Sequence, residues 1–122
     1  MVSYSETIAF LEKREAERRK LLDERFGIAW EAFRAVVSMI EADFEPARVW
    51  QWGSLLERSH FSEISDIDIA VEGLGAVDRF FRLVEKAETL TDFPLDIVEL
   101  ERLEPEFAHL IRTRGRIVHG DG

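Results

Sequence analysis

The chain lacks cysteine, long hydrophobic runs and any excess of positive charge, and each absence removes a class of protein. Without cysteine it can form no disulfide framework, no thiol nucleophile and no thiolate metal site. No apolar segment reaches the roughly eighteen residues of a membrane span. Residues 1–10 also lack the basic and then apolar layout of a signal peptide. We therefore expect a soluble, cytoplasmic protein that does not contact the membrane.

The charge balance argues against a protein that grips nucleic-acid backbone. The 122 residues carry a formal net charge of −9, whereas backbone binding calls for clustered lysine and arginine. Acids and bases balance in residues 1–30, so the acidity lies in the rest of the chain. A body of this charge repels nucleotides unless metal ions mediate the contact. The sequence predicts no direct nucleic-acid binding and agrees with a metal-dependent site.

The N-terminal third of the sequence has helical periodicity. Residues 4–25 are dense in opposite charges spaced three and four apart, which is typical of an exposed helix. From Leu22 to Ile40 apolar residues recur at steps of three and four, which indicates a helix with a buried face. Gly27 predicts either a kink or a break into two helices. Together these patterns predict an N-terminal helical segment over residues 1–45.

The rest of the chain alternates between strand and helix patterns. Segments rich in β-forming residues predict strands near 48–52, 66–71 and 94–100, with a last short strand near 114–118. Helices are expected from Ser54, with this serine as the N-cap, from Val77 to Glu88, and from Leu103 to Arg112. Such an order predicts an α/β sheet with helices packed on it.

Two aspartates, Asp66 and Asp68, stand two positions apart inside an apolar segment. Successive side chains of a strand point to opposite faces, so both carboxylates are expected on the same face. Their mutual repulsion raises a pKa unless a cation relieves it, and proteins often hold Mg²⁺ on such a pair together with substrate phosphates. An edge strand with its polar face in water is the competing interpretation of an isolated Asp-x-Asp.

The pair Gly53-Ser54 follows the first predicted strand. Glycine permits a tight turn with close backbone approach. Free backbone N–H groups at a helix start, with the serine hydroxyl, form a phosphate cradle. Simple helix capping is the alternative explanation of this pair.

The Gly-Ser pair, Asp66 and Asp68, and a third aspartate at Asp96 in a later strand together resemble the minimal nucleotidyltransferases (MNT proteins) of the DNA polymerase beta-like superfamily. The resemblance runs from about Val49 to Val118. It implies a nucleotidyltransferase fold, a small mixed β-sheet with helices packed on it, preceded here by an N-terminal helical extension. We expect one domain over residues 1–122, with a catalytic core in 46–122.

The family resemblance also implies roles for individual residues. Its three carboxylates hold two Mg²⁺ ions that bind the triphosphate of a nucleotide, and an acceptor hydroxyl attacks the α-phosphate. On this basis Asp66 and Asp68 bridge the metals. Asp96 completes the acceptor-side metal and takes the proton of the hydroxyl. Gly53 and Ser54 cradle the β- and γ-phosphates.

Arg58 and Ser65 are further candidates for nucleotide contacts. Many family members carry Gly-Ser-Arg-x-Arg, but Leu55 and Glu57 occupy the two arginine positions here. Arg58 lies one residue later, and a displacement by one residue turns a helical side chain by about 100°. The segment between the Gly-Ser pair and the first aspartate is also one residue longer than is common in the family.

The resemblance extends to a biological role. Small stand-alone members are similar to the MNT half of two-gene toxin–antitoxin pairs, whose other half is a HEPN-domain ribonuclease. It implies an antitoxin that uses ATP to transfer AMP to a hydroxyl of its HEPN toxin, in a hetero-oligomer. The neutral, helical N-terminal segment is a candidate docking surface for that partner. Two alternatives stay open: an antitoxin that neutralises its partner by contact alone, and a transferase that modifies a small molecule of the aminoglycoside type.

Overall fold

The protein, described here by a computed structural model over residues 3–121, consists of three α-helices and a four-stranded sheet within that range. In chain order the elements are α1 (Tyr4–Phe44), β1 (Arg48–Trp52), β2 (Ile67–Glu72), α2 (Val77–Leu90), β3 (Leu95–Glu99), α3 (Pro105–Arg114) and β4 (Arg116–His119). The strand order is β3-β2-β1-β4. β2 and β3 are parallel, whereas β1 runs antiparallel to both β2 and β4. The predicted α/β class with a small mixed sheet is confirmed.

Helix α1 is continuous from end to end. It begins with a capping box, in which the Ser3 hydroxyl accepts from the Glu6 N–H and the Glu6 carboxylate accepts from the Ser3 N–H. Its 41 residues correspond to a length of about 60 Å. It ends where Glu45 adopts a left-handed conformation, with φ of 45°, just before Pro46. Of the two alternatives predicted at Gly27, a kink or a break into two helices, the break is wrong, because apolar residues on both sides of Gly27 pack onto one core.

Replacing Gly27 with alanine is expected to stabilise the protein by about 0.5–1 kcal/mol. Glycine costs this much relative to alanine in a helix interior. Gly27 is exposed, and a Cβ added there meets no atom within 4 Å. Chemical denaturation of the Gly27→Ala variant measures the change. A loss of stability would contradict the continuous helix.

The sheet separates two apolar layers. One layer packs α1 and α2 against Val49, Ile67, Ile69 and Val71. The other, smaller layer joins Trp50 and Ala70 to residues of α3, Ala108 and Ile111. Because side chains alternate along a strand, Asp68 of β2 shares the α3 face with Ala70.

The helix predicted from Ser54 is wrong. The chain instead forms two short 3₁₀ turns, Ser54–Leu56 and Arg58–His60, separated by Glu57 in an extended conformation. Ser54 is the first residue of its turn, and Gly53 occupies the capping position without a side-chain hydrogen bond. Burial of both Leu55 and Phe61 explains the interruption, because a regular helix would point these residues in different directions.

The other predicted elements occur with shifted ends. Helix α2 extends to Leu90, two residues beyond the prediction. Helix α3 begins at Pro105 instead of Leu103, because Leu100–Arg102 forms a 3₁₀ turn and proline favours the first helical position. None of the helices in residues 3–121 has the combination of length and hydrophobicity that a membrane-spanning helix requires.

Candidate active site

Three side chains form a row across the sheet on the face covered by α3. Asp68 is aligned with Asp96 on one side and with Trp52 on the other. Aligned residues of neighbouring strands point to the same face, so the two carboxylates and the indole are adjacent. Asp66 lies just before β2 and is exposed. The register of the parallel strands therefore brings Asp68 and Asp96 together from positions far apart in the sequence.

The carboxylates of this site repel one another. The pKa of Asp68 rises from 3.8 to about 7, first because the side chain is partly buried and then because of the negative charges of Asp96 and Asp66. A carboxyl group perturbed in this way by burial and by neighbouring charges is characteristic of functional sites. A cation at this site would relieve the repulsion and favour the ionised form of Asp68.

The repulsion predicts a pH dependence of stability in the metal-free protein. Unfolded Asp68 titrates near its ordinary value of 3.8, whereas folded Asp68 keeps its proton up to about 7. Its contribution to the free energy of unfolding is therefore full below the lower value and is lost as the pH rises through the upper one. Asp68→Asn has no such titration. Denaturation in EDTA should show the variant gaining stability over the wild type between pH 4 and 8; a constant difference would contradict the raised pKa.

The Gly53 turn lies directly against Asp68. Gly53 has a φ of +84°, and a Cβ added to it would stand 2.1 Å from Asp68 Oδ2. Only glycine allows this backbone to approach the carboxylate so closely. The hydrogen bonds of the following 3₁₀ turn begin with the Leu56 N–H, which donates to the Gly53 carbonyl. The N–H groups of Ser54 and Leu55 precede that bond, so the turn does not use them.

The structure does not bring Arg58 to the carboxylates. Its Nε and Nη2 contact Asp23 Oδ1 at 2.7 Å, and its guanidinium lies 5.7 Å from the centre of the Phe26 ring. Both partners belong to α1, which covers the opposite face of the sheet. The nucleotide contact predicted for Arg58 stays a prediction that requires this ion pair to open.

Ser65 is buried and occupied within its own loop. Its hydroxyl accepts from the Ser62 N–H at 2.8 Å, and its carbonyl accepts from Arg25 Nη2 at 3.4 Å. These bonds fix the loop that leads into β2 and therefore the position of Asp66. A direct nucleotide contact of Ser65 stays a prediction, and its present contacts favour a positioning role.

The donor set fits a divalent cation. Carboxylate oxygens are the ligands that Mg²⁺ prefers, and Mg²⁺ commonly takes one or two carboxylates and completes its shell with water and phosphate oxygens. Within residues 3–121 no three His, Asp or Glu side chains form a ready cation cluster. The facing pair of Asp68 and Asp96, with the raised pKa of Asp68, provides the two-carboxylate arrangement. Participation of Asp66 as the third ligand stays a prediction.

Sequence reasoning missed the apolar border of the site. Trp52 lies in the carboxylate row, and Phe107 of α3 meets its ring edge-to-face, with centroids 5.4 Å apart. The position of Trp52, immediately before the Gly-Ser pair, was the only available signal. Nothing in the sequence indicated that α3 returns to the same place.

Comparisons with known proteins support the fold. No family model and no curated protein matches the chain. Among solved structures it is similar to a chain of a mutant MntA-HpeT toxin–antitoxin complex, with a TM-score of 0.58, 19% identity and coverage of 72% of each chain. The present protein therefore has the same fold as that chain. A toxin–antitoxin structure with AMP-PNP has a TM-score of 0.57 and 22% identity over 71% of this chain and 73% of that one.

A third similar chain comes from Shewanella oneidensis, with a TM-score of 0.51 and 20% identity, covering 73% of this chain and 68% of that one. At such identities the likeness concerns the fold. The predicted resemblance to MNT proteins of toxin–antitoxin pairs is therefore confirmed at the level of the fold.

Proposed function

We propose that this protein is an MNT-type antitoxin that transfers AMP from ATP to a hydroxyl group of a protein toxin. The observation that carries the proposal is the Gly53 turn packed against Asp68, which itself lies beside Asp96. Backbone N–H groups that the turn does not use, next to paired carboxylates, suit a triphosphate bound with a divalent cation. A purely structural role for these residues would not explain why Gly53 contacts Asp68 or why the pKa of Asp68 is raised.

In the proposed reaction, the acceptor oxygen forms a bond to the α-phosphorus while the bond from that phosphorus to the bridging oxygen breaks, and pyrophosphate leaves. Asp96 is exposed and takes the proton of the acceptor hydroxyl on its carboxylate. The N–H groups of Ser54 and Leu55 orient the β- and γ-phosphates. Mg²⁺ held by Asp68 and Asp96, with Asp66, would neutralise charge on the triphosphate when bound.

The similar structures support a nucleotide and a toxin as the two ligands. One of them contains AMP-PNP, an analogue of ATP, and is a toxin–antitoxin structure. The other toxin–antitoxin structure is a mutant with two aspartate-to-glutamate changes two positions apart. Asp66 and Asp68 have this spacing in the present chain. A HEPN-family ribonuclease in a hetero-oligomer is the partner that we propose.

The two parts of the chain would have different functions, catalysis and binding of the toxin. We assign catalysis to residues 46–122 and docking of the toxin to the helical segment 1–45. Residues 4–21 of α1 are exposed without exception, and they include large apolar side chains such as Phe10 and Leu11, which are 59% and 55% exposed. Uncovered apolar surface on a helix of this length is typical of a binding surface.

Transfer of label from ATP tests the proposal. The purified chain is incubated with Mg²⁺, ATP labelled at the α-phosphate and the protein encoded by the neighbouring gene. Label on the partner and release of pyrophosphate are the expected result, and ATP labelled at the γ-phosphate should leave none. Neutralisation of a toxic partner without labelling would instead assign the chain to the antitoxins that act by contact alone.

A further inference from the structure

A cleft of about 430 Å³ opens between α3 and the Gly53 turn. Its apolar walls are formed by Trp52, Leu56, Phe107, Leu110 and Ile111. The volume lies within the range of small-molecule sites, about 300–1,000 Å³. Trp52 and Gly53 line the cleft, and Gly53 also lies against Asp68, so the cleft is next to the carboxylate row.

The cleft leaves apolar surface uncovered beside a charged site. Phe107 and Leu110 project from α3 with 41% and 46% of their surface exposed, although Ile111 on the same helix is buried. Arg114, His60 and Glu57 provide polar groups among its lining residues, and His60 Nδ1 lies 3.2 Å from Glu57 Oε2. An aromatic, mostly apolar cleft with a few polar groups is typical of sites that bind planar organic ligands.

We propose that this cleft binds the nucleobase of the nucleotide whose phosphates lie at the Gly53 turn. This inference rests on the proposed function, because it requires a nucleotide at that turn. A base can stack on the rings and aliphatic groups of the walls, which is how proteins hold bases without reading their sequence. A ligand that occupies the cleft and the carboxylate row at once must carry a planar apolar part and an anionic part, and a nucleoside triphosphate has both.

Comparing two ligands isolates the contribution of the base. Isothermal titration with ATP and with inorganic tripolyphosphate, both with Mg²⁺, is carried out on the wild type, Phe107→Ala and Leu110→Ala. The wild type should bind ATP more tightly than tripolyphosphate. Each variant should weaken ATP binding by roughly tenfold, in the range of base stacking on a side chain, and leave tripolyphosphate binding within twofold. His109→Ala is the matched control, because His109 is exposed on α3 and does not line the cleft.

The other outcomes overturn the inference in distinguishable ways. Equal weakening of both ligands would mean that the variants act through the fold or the phosphates. If the Phe107→Ala and Leu110→Ala variants bind ATP normally but no longer label the partner protein in the transfer assay, the cleft binds the acceptor instead of the base. A wild type that binds tripolyphosphate and ATP equally would exclude the base while leaving the proposed function intact. A wild type that binds neither would remove the proposed function as well.

Discussion

Asp68→Asn is expected to abolish nucleotidyl transfer while leaving the chain folded. Asp68 is the central residue of the row and lies against the Gly53 turn. An asparagine keeps the shape but loses the charge that would bind a cation, and metal stabilisation of a phosphoryl transition state is worth several kcal/mol. A loss of that size lowers the rate by at least roughly a thousandfold. The α-phosphate label assay measures it.

The same substitution should not weaken the fold. It removes a partly buried negative charge that faces Asp96 and Asp66, so the metal-free variant at pH 8 should be more stable than the wild type. The gain is on the order of 1 kcal/mol, because water screens a half-exposed carboxylate. Asp92→Asn, an exposed position outside the row, is the matched control. Full activity of Asp68→Asn would exclude the assignment of this carboxylate.

Gly53→Ala should remove activity for a steric reason. The new Cβ would stand 2.1 Å from Asp68 Oδ2 and 2.8 Å from its Cγ, so the carboxylate must move out of the row. The positive φ of Gly53 adds backbone strain of about 1–3 kcal/mol for a residue with a side chain. We expect a stability loss of about that size, together with a loss of transfer comparable to that of Asp68→Asn.

Gly75→Ala separates the two effects. Gly75 has a similar φ of +90°, but a Cβ added there meets no atom within 4 Å. This variant should therefore lose stability through strain alone and keep its transfer rate when measured well below its melting temperature. Equal loss of activity in the two variants would show that the loss in Gly53→Ala does not come from the contact between Gly53 and Asp68.

The sequence contained enough to predict the strands and one half of the site. Alternation of apolar residues around Asp66 and Asp68 placed a strand there, and the structure has β2 at Ile67–Glu72. The adjacency of Asp68 and Asp96 could not be derived from alternation, because it depends on the register of two parallel strands that a helix separates in the chain. Only the family resemblance joined the two aspartates.

Tertiary packing determined the structure of the segments that local sequence patterns predicted wrongly. Gly27 has a weak helical preference, yet α1 continues through it, with flanking apolar residues packed on the core. The residues after Gly53 have the pattern of a helix start, but the burial of Leu55 and Phe61 broke them into two 3₁₀ turns. The same turns place Arg58 in contact with Asp23. These outcomes depend on contacts between distant segments, which no local pattern records.

Thermal unfolding with and without ATP and Mg²⁺ tests most directly the claim that the Asp68–Asp96 face binds a metal–nucleotide complex. A ligand at a hundred times its dissociation constant stabilises the folded state by roughly 2.7 kcal/mol. The melting temperature of the wild type should rise when both are added, and that of Asp68→Asn should not. An unchanged wild type, or an equal rise in Asp68→Asn, would contradict a nucleotide site at these carboxylates.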